Sequence, residues 1–264
     1  MINTVAIIQA RMSSTRLPGK ILEKVGGKEV LKHVVSRLNY CKNINKVVVA
    51  TTNNYQDDQL ISWLTNNQLD FFRGNEDDVL DRYYQTAKQY DADFILRVTS
   101  DSPLIDPQLV DFIVKIALYN QYDYTSNSLL PTFPDGLDIE CLSFFALQES
   151  WKKATTLNER EHVTPYIRLN PRAFKSANIT NKKNYSAYCW AIDNPKDLDF
   201  VKQLHTKIDL TLIENFSYKK IIKILQKFPE IQAVNQQSVR DVKLVEQFPE
   251  IFNQSGFVNH DYLE

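Results

Sequence analysis

A short segment near the start of the chain gathers side chains that suit a phosphate group. Residues 9–20 read QARMSSTRLPGK and contain three cations, Arg11, Arg16 and Lys20, together with three hydroxyl side chains and a glycine. Backbone N–H groups and hydroxyls can donate hydrogen bonds to phosphate oxygens, while the cations balance the phosphate charge. Arginine offers a planar fork of donors and lysine a compact charge, so the mixture suits a polyphosphate. A merely basic surface loop is the alternative interpretation.

Two common phosphate-binding signatures do not describe this loop. The Walker spacing G-x-x-x-x-G-K-[ST] fails, and Ile21 follows the lysine where that motif requires a hydroxyl residue. The fingerprint G-x-G-x-x-G is also missing from the sequence, which argues against a dinucleotide-dependent dehydrogenase.

Two aspartates follow apolar runs that have the character of strands. Asp101 comes just after residues 94–99, and Asp193 comes directly after residues 186–192. A carboxylate at the carboxyl end of a central strand is well placed to bind a hard cation such as Mg²⁺. A turn or a helix cap is the alternative role for each aspartate. Together, the two carboxylates would supply a magnesium site that brings a nucleotide α-phosphate and an attacking oxygen together.

The elements that must position these side chains alternate between strand and helix in the first half of the chain. Compact apolar runs predict buried parallel strands at residues 4–9, 46–51 and 94–99. Helices are predicted between and after these runs, at residues 29–38, 56–67, 77–90 and 107–119. The series predicts a doubly wound α/β fold whose ligand binds beyond the carboxyl ends of the strands.

The pattern changes after Tyr122, where a turn-rich segment precedes an apolar stretch at residues 137–145. In the second half, strands are predicted at residues 173–179 and 186–192, and helices at residues 159–168, from residue 195 onwards, at 218–227 and at 239–246. We expect a single domain over residues 1–264, with an inserted subregion at residues 123–175 for the acceptor site and dimerisation. A helical tail is expected at residues 205–264.

Composition excludes several classes of protein. The 264 residues are 24% charged and 43% hydrophobic, which is typical of a globular chain and not of a disordered or coiled-coil one. No run of about 18 apolar residues occurs, and Arg11 interrupts the first apolar segment, so neither a membrane span nor secretion is expected. Three cysteines without a CxxC pair argue against a disulfide framework or a zinc site and favour a reducing cytoplasm.

The formal net charge of −1 hides an uneven distribution of charge along the chain. Residues 1–54 carry a balance of +7 and residues 55–140 a balance of −11. This division suits a site that binds an anion through cations and a metal through carboxylates, although solvated helix faces of opposite sign would produce the same division. The slightly acidic total argues against a nucleic-acid partner.

Six segments in order resemble the cytidylyltransferase family that contains the CMP-Kdo and acylneuraminate enzymes. The leading segment, IIQARMSSTRLPGKIL, resembles the family signature A-R-x-x-S-x-R-L-P-G-K. The others are RGNEDDVLDRY, VTSDSPLIDP, PDGLDIECLSF, EHVTPYI and IDNPKDL. The set covers roughly residues 4–200 and is most similar to the branch typified by the spore-coat polysaccharide biosynthesis protein F.

This resemblance implies a three-layer, Rossmann-like nucleotidyltransferase fold with a mostly parallel central sheet. The implied reaction transfers CMP from CTP to an acidic sugar of the ulosonic acid type, or to a related acceptor, and releases pyrophosphate. Surface polysaccharide biosynthesis is the implied process. Mg²⁺ is the implied cofactor, CTP and a small acidic acceptor are the implied partners, and a homodimer is the implied assembly.

The resemblance also assigns roles to individual residues. Catalytic roles fall on Arg11, Arg16, Lys20, Asp101 and Asp193, and the two aspartates are the implied ligands of magnesium. Nucleotide-binding roles fall on Ala10, Arg11, Ser13, Ser14, Arg16, Lys20, Arg73, Asp81, Thr99 and Asp101. Acceptor-binding roles fall on Asp135, Glu140, Glu161, His162 and Tyr166.

One departure from the family pattern bears on specificity. In the Kdo branch the first aspartate lies in Gln-Gly-Asp-Glu-Pro, whereas residues 99–103 here read Thr-Ser-Asp-Ser-Pro. This departure leaves cytosine selectivity and the choice of acceptor open. Three alternative functions also stay open: a sugar-phosphate nucleotidyltransferase that uses another nucleotide, a glycosyltransferase, and a non-catalytic nucleotide-binding subunit. The Asp-x-Asp motif that glycosyltransferases commonly use for metal binding does not occur at Asp101.

Overall fold

Strands and helices alternate along the first half of the chain, as predicted. The computed structural model describes residues 2–213, 216–238 and 257–262. Within these ranges the strands are β1 (Thr4–Gln9), β2 (Lys24–Val25), β3 (Lys28–Glu29), β4 (Lys46–Thr52), β5 (Asp70–Gly74), β6 (Phe94–Thr99), β7 (Tyr124–Ser126), β8 (Glu140–Ser143), β9 (Ser176–Thr180) and β10 (Phe257–Asp261). The α-helices are α1 (Val30–Asn39), α2 (Asp58–Asn66), α3 (Val79–Gln89), α4 (Pro107–Asn120), α5 (Phe144–Lys153), α6 (Leu157–His162), α7 (Pro165–Leu169), α8 (Pro195–His205), α9 (Tyr218–Lys227) and α10 (Pro229–Ala233).

Eight of these strands form one mixed, mostly parallel sheet in the order β10-β9-β7-β8-β6-β1-β4-β5. Strand β8 runs antiparallel to both of its neighbours, β6 and β7. Every other pairing in this sheet is parallel. Because β1 lies between β4 and β6, the loops that follow these three strands emerge at the same edge of the sheet.

Helices cover both faces of the sheet, and the side chains of β1 show how the two cores are separated. Ala6 and Ile8 belong to one buried cluster, to which α1, α2, α4 and α8 contribute. Val5 and Ile7 belong to the other, to which α3 and α5 contribute. A strand buried on both faces requires an almost continuous apolar sequence, which explains why these runs could be predicted. The three-layer α/β expectation is confirmed.

Several element boundaries agree closely with the sequence analysis. The strands predicted at residues 4–9 and 94–99 match β1 and β6, and the helix predicted at 218–227 matches α9. Strand β5 and helix α5 were not predicted. The helix predicted at residues 239–246 lies outside the described residues.

The single helix predicted at residues 159–168 is wrong, because the structure has two short helices there, α6 and α7. Val163 ends the first helix with φ of +70°, a left-handed conformation that a β-branched residue rarely adopts. Pro165 then begins the second helix and lacks the N–H group that would continue the hydrogen-bond ladder. This break turns the chain between the two predicted acceptor residues His162 and Tyr166.

The strand predicted at residues 186–192 is also wrong. Among the residues that the structure describes, the segment pairs with no strand of the sheet and makes only an isolated bridge between Cys189 and Asp135. Its apolar character comes from Trp190 and Ile192, which are fully buried in the core without joining the sheet. Gly136 has φ of +90°, and a Cβ atom there would lie 2.5 Å from the backbone nitrogen of Ala191. Only glycine allows the two loops to approach so closely.

The tail at residues 205–264 is not helical throughout. Its described part contains α9 and α10, but it also supplies β10, which pairs in parallel with β9 at the edge of the sheet. Among the described residues, no helix has the length and apolar character needed to cross a membrane.

Candidate active site

The loop that follows β1 turns back on itself and carries Lys20 towards the interior. The carbonyl oxygen of Met12 accepts the backbone N–H of Ser14 at 2.9 Å and that of Gly19 at 3.0 Å. Gly19 has φ of +73°, which glycine adopts without steric cost. The chain then enters a single 3-10 turn in which Ile21 is buried and Lys20 is only 8% exposed. The lysine side chain therefore points into the protein.

The ammonium group of Lys20 joins the two predicted metal-binding aspartates. Its Nζ atom donates to Asp101 Oδ2 at 2.6 Å and to Asp193 Oδ1 at 3.0 Å, and also to the carbonyl oxygen of Ile192 at 2.7 Å. Burial alone would lower the pKa of Lys20, but the two carboxylates outweigh this effect and hold its pKa above 10.5. Lys20 is therefore a fixed positive charge at neutral pH.

Neither aspartate caps a helix, although both had that alternative role. The N-cap of α4 is Asp106, and the N-cap of α8 is Asn194, whose side chain accepts from the N–H groups of Lys196 and Asp197. Asp193 is instead bound on both oxygens by cations, since Arg16 Nη2 lies 3.0 Å from its Oδ2 atom. Both carboxylates therefore face the cations of the basic loop and not the N-terminus of a helix.

An open cleft of about 980 Å³ begins beside these carboxylates and runs along the sheet. Seven of the predicted site residues line it: Arg16, Thr99, Asp101, Asp135, Glu140, His162 and Asp193. The cleft therefore brings part of the predicted nucleotide set together with part of the predicted acceptor set.

Two residues of the basic loop face a different carboxylate. Arg11 Nη1 lies 3.3 Å from Glu76 Oε1, and Ser13 Oγ donates to the same oxygen at 3.1 Å. Asn54 Nδ2 donates to Glu76 Oε2, and these hydrogen bonds, led by the one from Asn54, lower the pKa of Glu76. In this arrangement a carboxylate holds the guanidinium and the hydroxyl that were predicted to bind phosphate.

The other predicted nucleotide residues near β1 and β6 occupy backbone or supporting positions. Ala10 is buried, and its N–H donates to the carbonyl oxygen of Ala50 at 3.1 Å. Ser14 is partly exposed in the loop. The hydroxyl of Thr99 lies 3.0 Å from that of Ser102 at the cleft wall.

Four further predicted site residues, away from the basic loop, also do not line the cleft. Arg73 donates to Asp58 and to the carbonyl oxygens of Thr52 and Asn54, which braces the loop after β4. Asp81 accepts the indole N–H of Trp151 at 2.8 Å. The remaining two are Glu161, which is exposed on α6, and Tyr166, which packs edge-on against Phe174.

A buried ionic cluster at the far end of the cleft was only partly predicted. Glu140 is 3% exposed and forms ion pairs with Arg97 of β6 and Arg168 of α7. Arg97 had one recognisable signal, since it is a charged residue within an otherwise apolar strand. No feature of the sequence pointed to Arg168, because it lies in a short helix whose position depends on the break at Val163. Both arginines line the cleft.

The fold and this site define a class of protein: an α/β nucleotidyltransferase. A basic loop lies beyond the carboxyl end of β1, and the carboxylates of Asp101 and Asp193 meet its lysine at the mouth of a cleft large enough for a small-molecule ligand.

Comparisons with known proteins identify the family within this class. The family model described as Cytidylyltransferase matches residues 5–243. The spore coat polysaccharide biosynthesis protein SpsF of Bacillus subtilis is 31% identical over 85% of this chain and 94% of its own. The structure of a cytidylyltransferase from Leptospira borgpetersenii is 34% identical, with a TM-score of 0.84 over 91% of this chain and all of that one.

A more distant solved structure shares the fold. It is the CMP:2-keto-3-deoxy-manno-octonic acid synthetase complexed with CTP, which is 17% identical, with a TM-score of 0.57 over 78% of this chain and 99% of that one. Taken with the family match, these findings show that the chain belongs to the cytidylyltransferase family and is a nucleotidyltransferase enzyme.

Proposed function

We propose that this protein transfers CMP from CTP to an acidic sugar of the ulosonic acid type, or to a related acceptor, in surface polysaccharide biosynthesis. The observation that carries the proposal is the convergence of Asp101 and Asp193 on Lys20 at the mouth of the cleft. Membership of the cytidylyltransferase family supports CTP as the donor. The name of the Bacillus subtilis relative supports polysaccharide biosynthesis as the process.

In the proposed reaction an acceptor oxygen attacks the α-phosphorus of CTP, while the bond from that phosphorus to the pyrophosphate oxygen breaks. The acceptor hydroxyl gives its proton to solvent water, and pyrophosphate leaves with the bonding electron pair. Lys20 remains protonated and balances the negative charge that grows on the leaving group. Arg16 has a side chain that is 67% exposed, so it can exchange Asp193 for a phosphate oxygen at little cost.

The donor set around Lys20 fits a magnesium ion that is shared with the substrate. Asp101 and Asp193 already converge on one cation, and their side chains are 21% and 40% exposed. Among the described residues, no group of three or more His, Cys, Asp or Glu side chains is placed to hold a metal ion alone. Mg²⁺ is commonly held by one or two carboxylates together with substrate phosphates and water. When bound, it would orient the phosphates and stabilise their charge.

A homodimer and a cytoplasmic location belong to the same proposal. The predicted insertion at residues 123–175 carries four exposed apolar side chains, which support an interface there: Leu130, Phe145, Leu157 and Leu169. Light scattering on the purified protein tests this assembly, and a monomer would contradict it. All three cysteines are unpaired, which agrees with a reducing compartment.

Pyrophosphate release tests the proposed function. Purified protein with Mg²⁺ is supplied with each of the four nucleoside triphosphates and a panel of ulosonic acids and sugar phosphates. We expect release with CTP and an ulosonic acid, and its loss on addition of EDTA. Preference for another nucleotide with a sugar phosphate would favour a sugar-phosphate nucleotidyltransferase. Binding of CTP without release for any acceptor would indicate a non-catalytic subunit.

A further inference from the structure

The far end of the cleft holds three buried ionic groups whose charges do not sum to zero. Glu140 Oε1 accepts from Tyr124 at 2.5 Å, from Thr164 at 2.8 Å and from Arg168 Nη2, while Oε2 accepts from Arg97 Nη1. Both carboxylate oxygens are therefore already occupied by protein donors. One carboxylate faces two guanidinium groups, so the cluster carries one uncompensated positive charge in a low-dielectric setting.

The arginines have donors that the protein does not use. Arg168 donates through Nε to Tyr124 and through Nη2 to Glu140 and Ser128, and no described residue accepts from its Nη1. Arg97 uses both Nη atoms, on Glu140 and on Gln9 Oε1, but its buried Nε has no partner among the described residues. Both side chains line the cleft while being only 10–15% exposed. Such donors are held rigidly and largely out of water, so they suit a specific anion.

The position of the cluster matches the acceptor and not the nucleotide. Arg97 and Thr99 project from the same face of β6, and Asp101 follows two residues later. Four residues of extended chain span at most about 13 Å, so the cluster lies within the length of a small sugar acid from the magnesium-type carboxylates. Arg11 and Ser13 do not line the cleft, and the basic loop reaches it through Arg16, the ion-pair partner of Asp193.

We propose that Arg97 and Arg168, oriented by Glu140, form the subsite that recognises the carboxylate of the acceptor. A single uncompensated charge matches a monoanionic carboxylate better than a phosphate dianion. Glu140 is therefore a positioning residue, and the arginines touch the substrate. This inference rests on the proposed function, because it assigns a role within the same cleft.

Equilibrium binding tests the subsite without requiring turnover. Isothermal titration calorimetry, with CMP and Mg²⁺ present, compares 3-deoxy-manno-octulosonate and N-acetylneuraminate with their C1 amides and with glucose 1-phosphate. We expect at least one acid to bind about 10- to 100-fold more tightly than its amide, since hydrogen bonds to a charged group are worth that ratio. Equal affinity of acid and amide, tighter binding of the sugar phosphate, or no binding of either acid would overturn the proposal.

Substitution of Arg168 tests whether this residue is the source of the preference for the acid over its amide. Arg168→Gln should weaken binding of the acid about 10- to 100-fold and remove the preference over the amide, while the CTP KM stays unchanged. Arg168→Lys keeps the positive charge beside Glu140 and so protects the fold. It lacks the planar fork of donors, however, and should bind the acid about tenfold more weakly. Arg172→Gln, an exposed arginine nearby, is the control. Unchanged acid selectivity in a folded Arg168 variant would contradict the assignment.

The two proposals fail in different ways. If the acid binds selectively but CTP yields no pyrophosphate with any acceptor, the proposed reaction is wrong and the carboxylate subsite stands. If pyrophosphate is released but acid and amide are used equally well, the reaction stands and the subsite is wrong.

Discussion

Lys20 Nζ lies 3.0 Å from Asp193 Oδ1, although the two residues are 173 positions apart in the chain. The contact joins the loop after β1 to the turn before α8, and Asp101 completes it from the end of β6. Three separate segments thus deliver one cation and two carboxylates to one place. An arrangement of this kind orients phosphates and neutralises their charge without covalent participation of the protein.

Substitution of Asp101 by asparagine should reduce turnover while leaving the fold intact. The change keeps the shape of the side chain but removes one of the two charges that face Lys20. We expect kcat for pyrophosphate release to fall by about 10²- to 10³-fold or more, which is typical for the loss of one electrostatic group at a reacting centre. Asp199→Asn, an exposed position on α8, is the matched control. Turnover like that of the unsubstituted protein would remove Asp101 from the mechanism.

Substitution of Arg11 by glutamine distinguishes a phosphate contact from a structural ion pair. The pair between Arg11 and Glu76 is partly exposed and 3.3 Å long, so its loss should change stability by less than about 1 kcal/mol. If Arg11 moves to the triphosphate on binding, the KM for CTP should rise about tenfold, while the KM for the acceptor stays constant. Steady-state kinetics with each substrate varied separately measure both. An unchanged KM for CTP would show that Arg11 does not bind the triphosphate and serves only in its ion pair with Glu76.

The stability of the protein at low pH should depend on Glu140. Burial alone would raise the pKa of Glu140, but the guanidinium groups of Arg168 and Arg97 outweigh it and hold this pKa well below its usual range. The unfolded state then binds the proton more readily than the folded state. The stabilisation by Glu140 is complete above the unfolded pKa of about 4.5 and is lost as pH falls through the lower folded value.

Urea unfolding between pH 7 and pH 3 measures this dependence. Glu140→Gln should lower the free energy of unfolding at pH 7 by about 3–5 kcal/mol, since it leaves two buried cations unpaired. The free energy of unfolding of this variant should fall less with acidification than that of the unsubstituted protein, because the variant lacks the carboxylate that takes up the proton. Glu230→Gln, exposed on α10, should reproduce the unsubstituted acid dependence. Parallel acid dependences for Glu140→Gln and the unsubstituted protein would show that another group controls it.

Two glycine substitutions separate backbone strain from a steric clash. Gly27 has φ of +80° and open space where a Cβ atom would lie, so Gly27→Ala should cost only the strain of the left-handed region, about 1–2 kcal/mol. At Gly136 the same strain is joined by contacts of 2.5 and 2.8 Å to the backbone of Ala191 and Trp190. Gly136→Ala should therefore lower the free energy of unfolding in urea more than Gly27→Ala does. It should also widen the cleft, because Gly136 lines its wall. Equal losses would mean that the two loops separate easily.

Much of the fold follows from local sequence patterns. A strand that is buried on both faces must be apolar throughout, so β1 and β6 could be located without knowledge of their neighbours. The same argument misplaced a strand at residues 186–192, because Trp190 and Ile192 are buried by loop packing and not by a sheet. An apolar run indicates burial, whereas the hydrogen-bond partner that defines a strand lies elsewhere in the chain.

The sequence by itself determined the chemistry available for a phosphate site: a loop of cations and hydroxyls, and two aspartates after apolar runs. Tertiary structure alone decided which groups face one another. Arg97 meets Glu140 because β6 and β8 are antiparallel neighbours in that register, and Arg168 reaches the same carboxylate only because the chain breaks at Val163. Arg73 and Asp81 are instead bound by other partners. Charge pairing acts over a few ångströms in space, and no spacing along the chain encodes that distance.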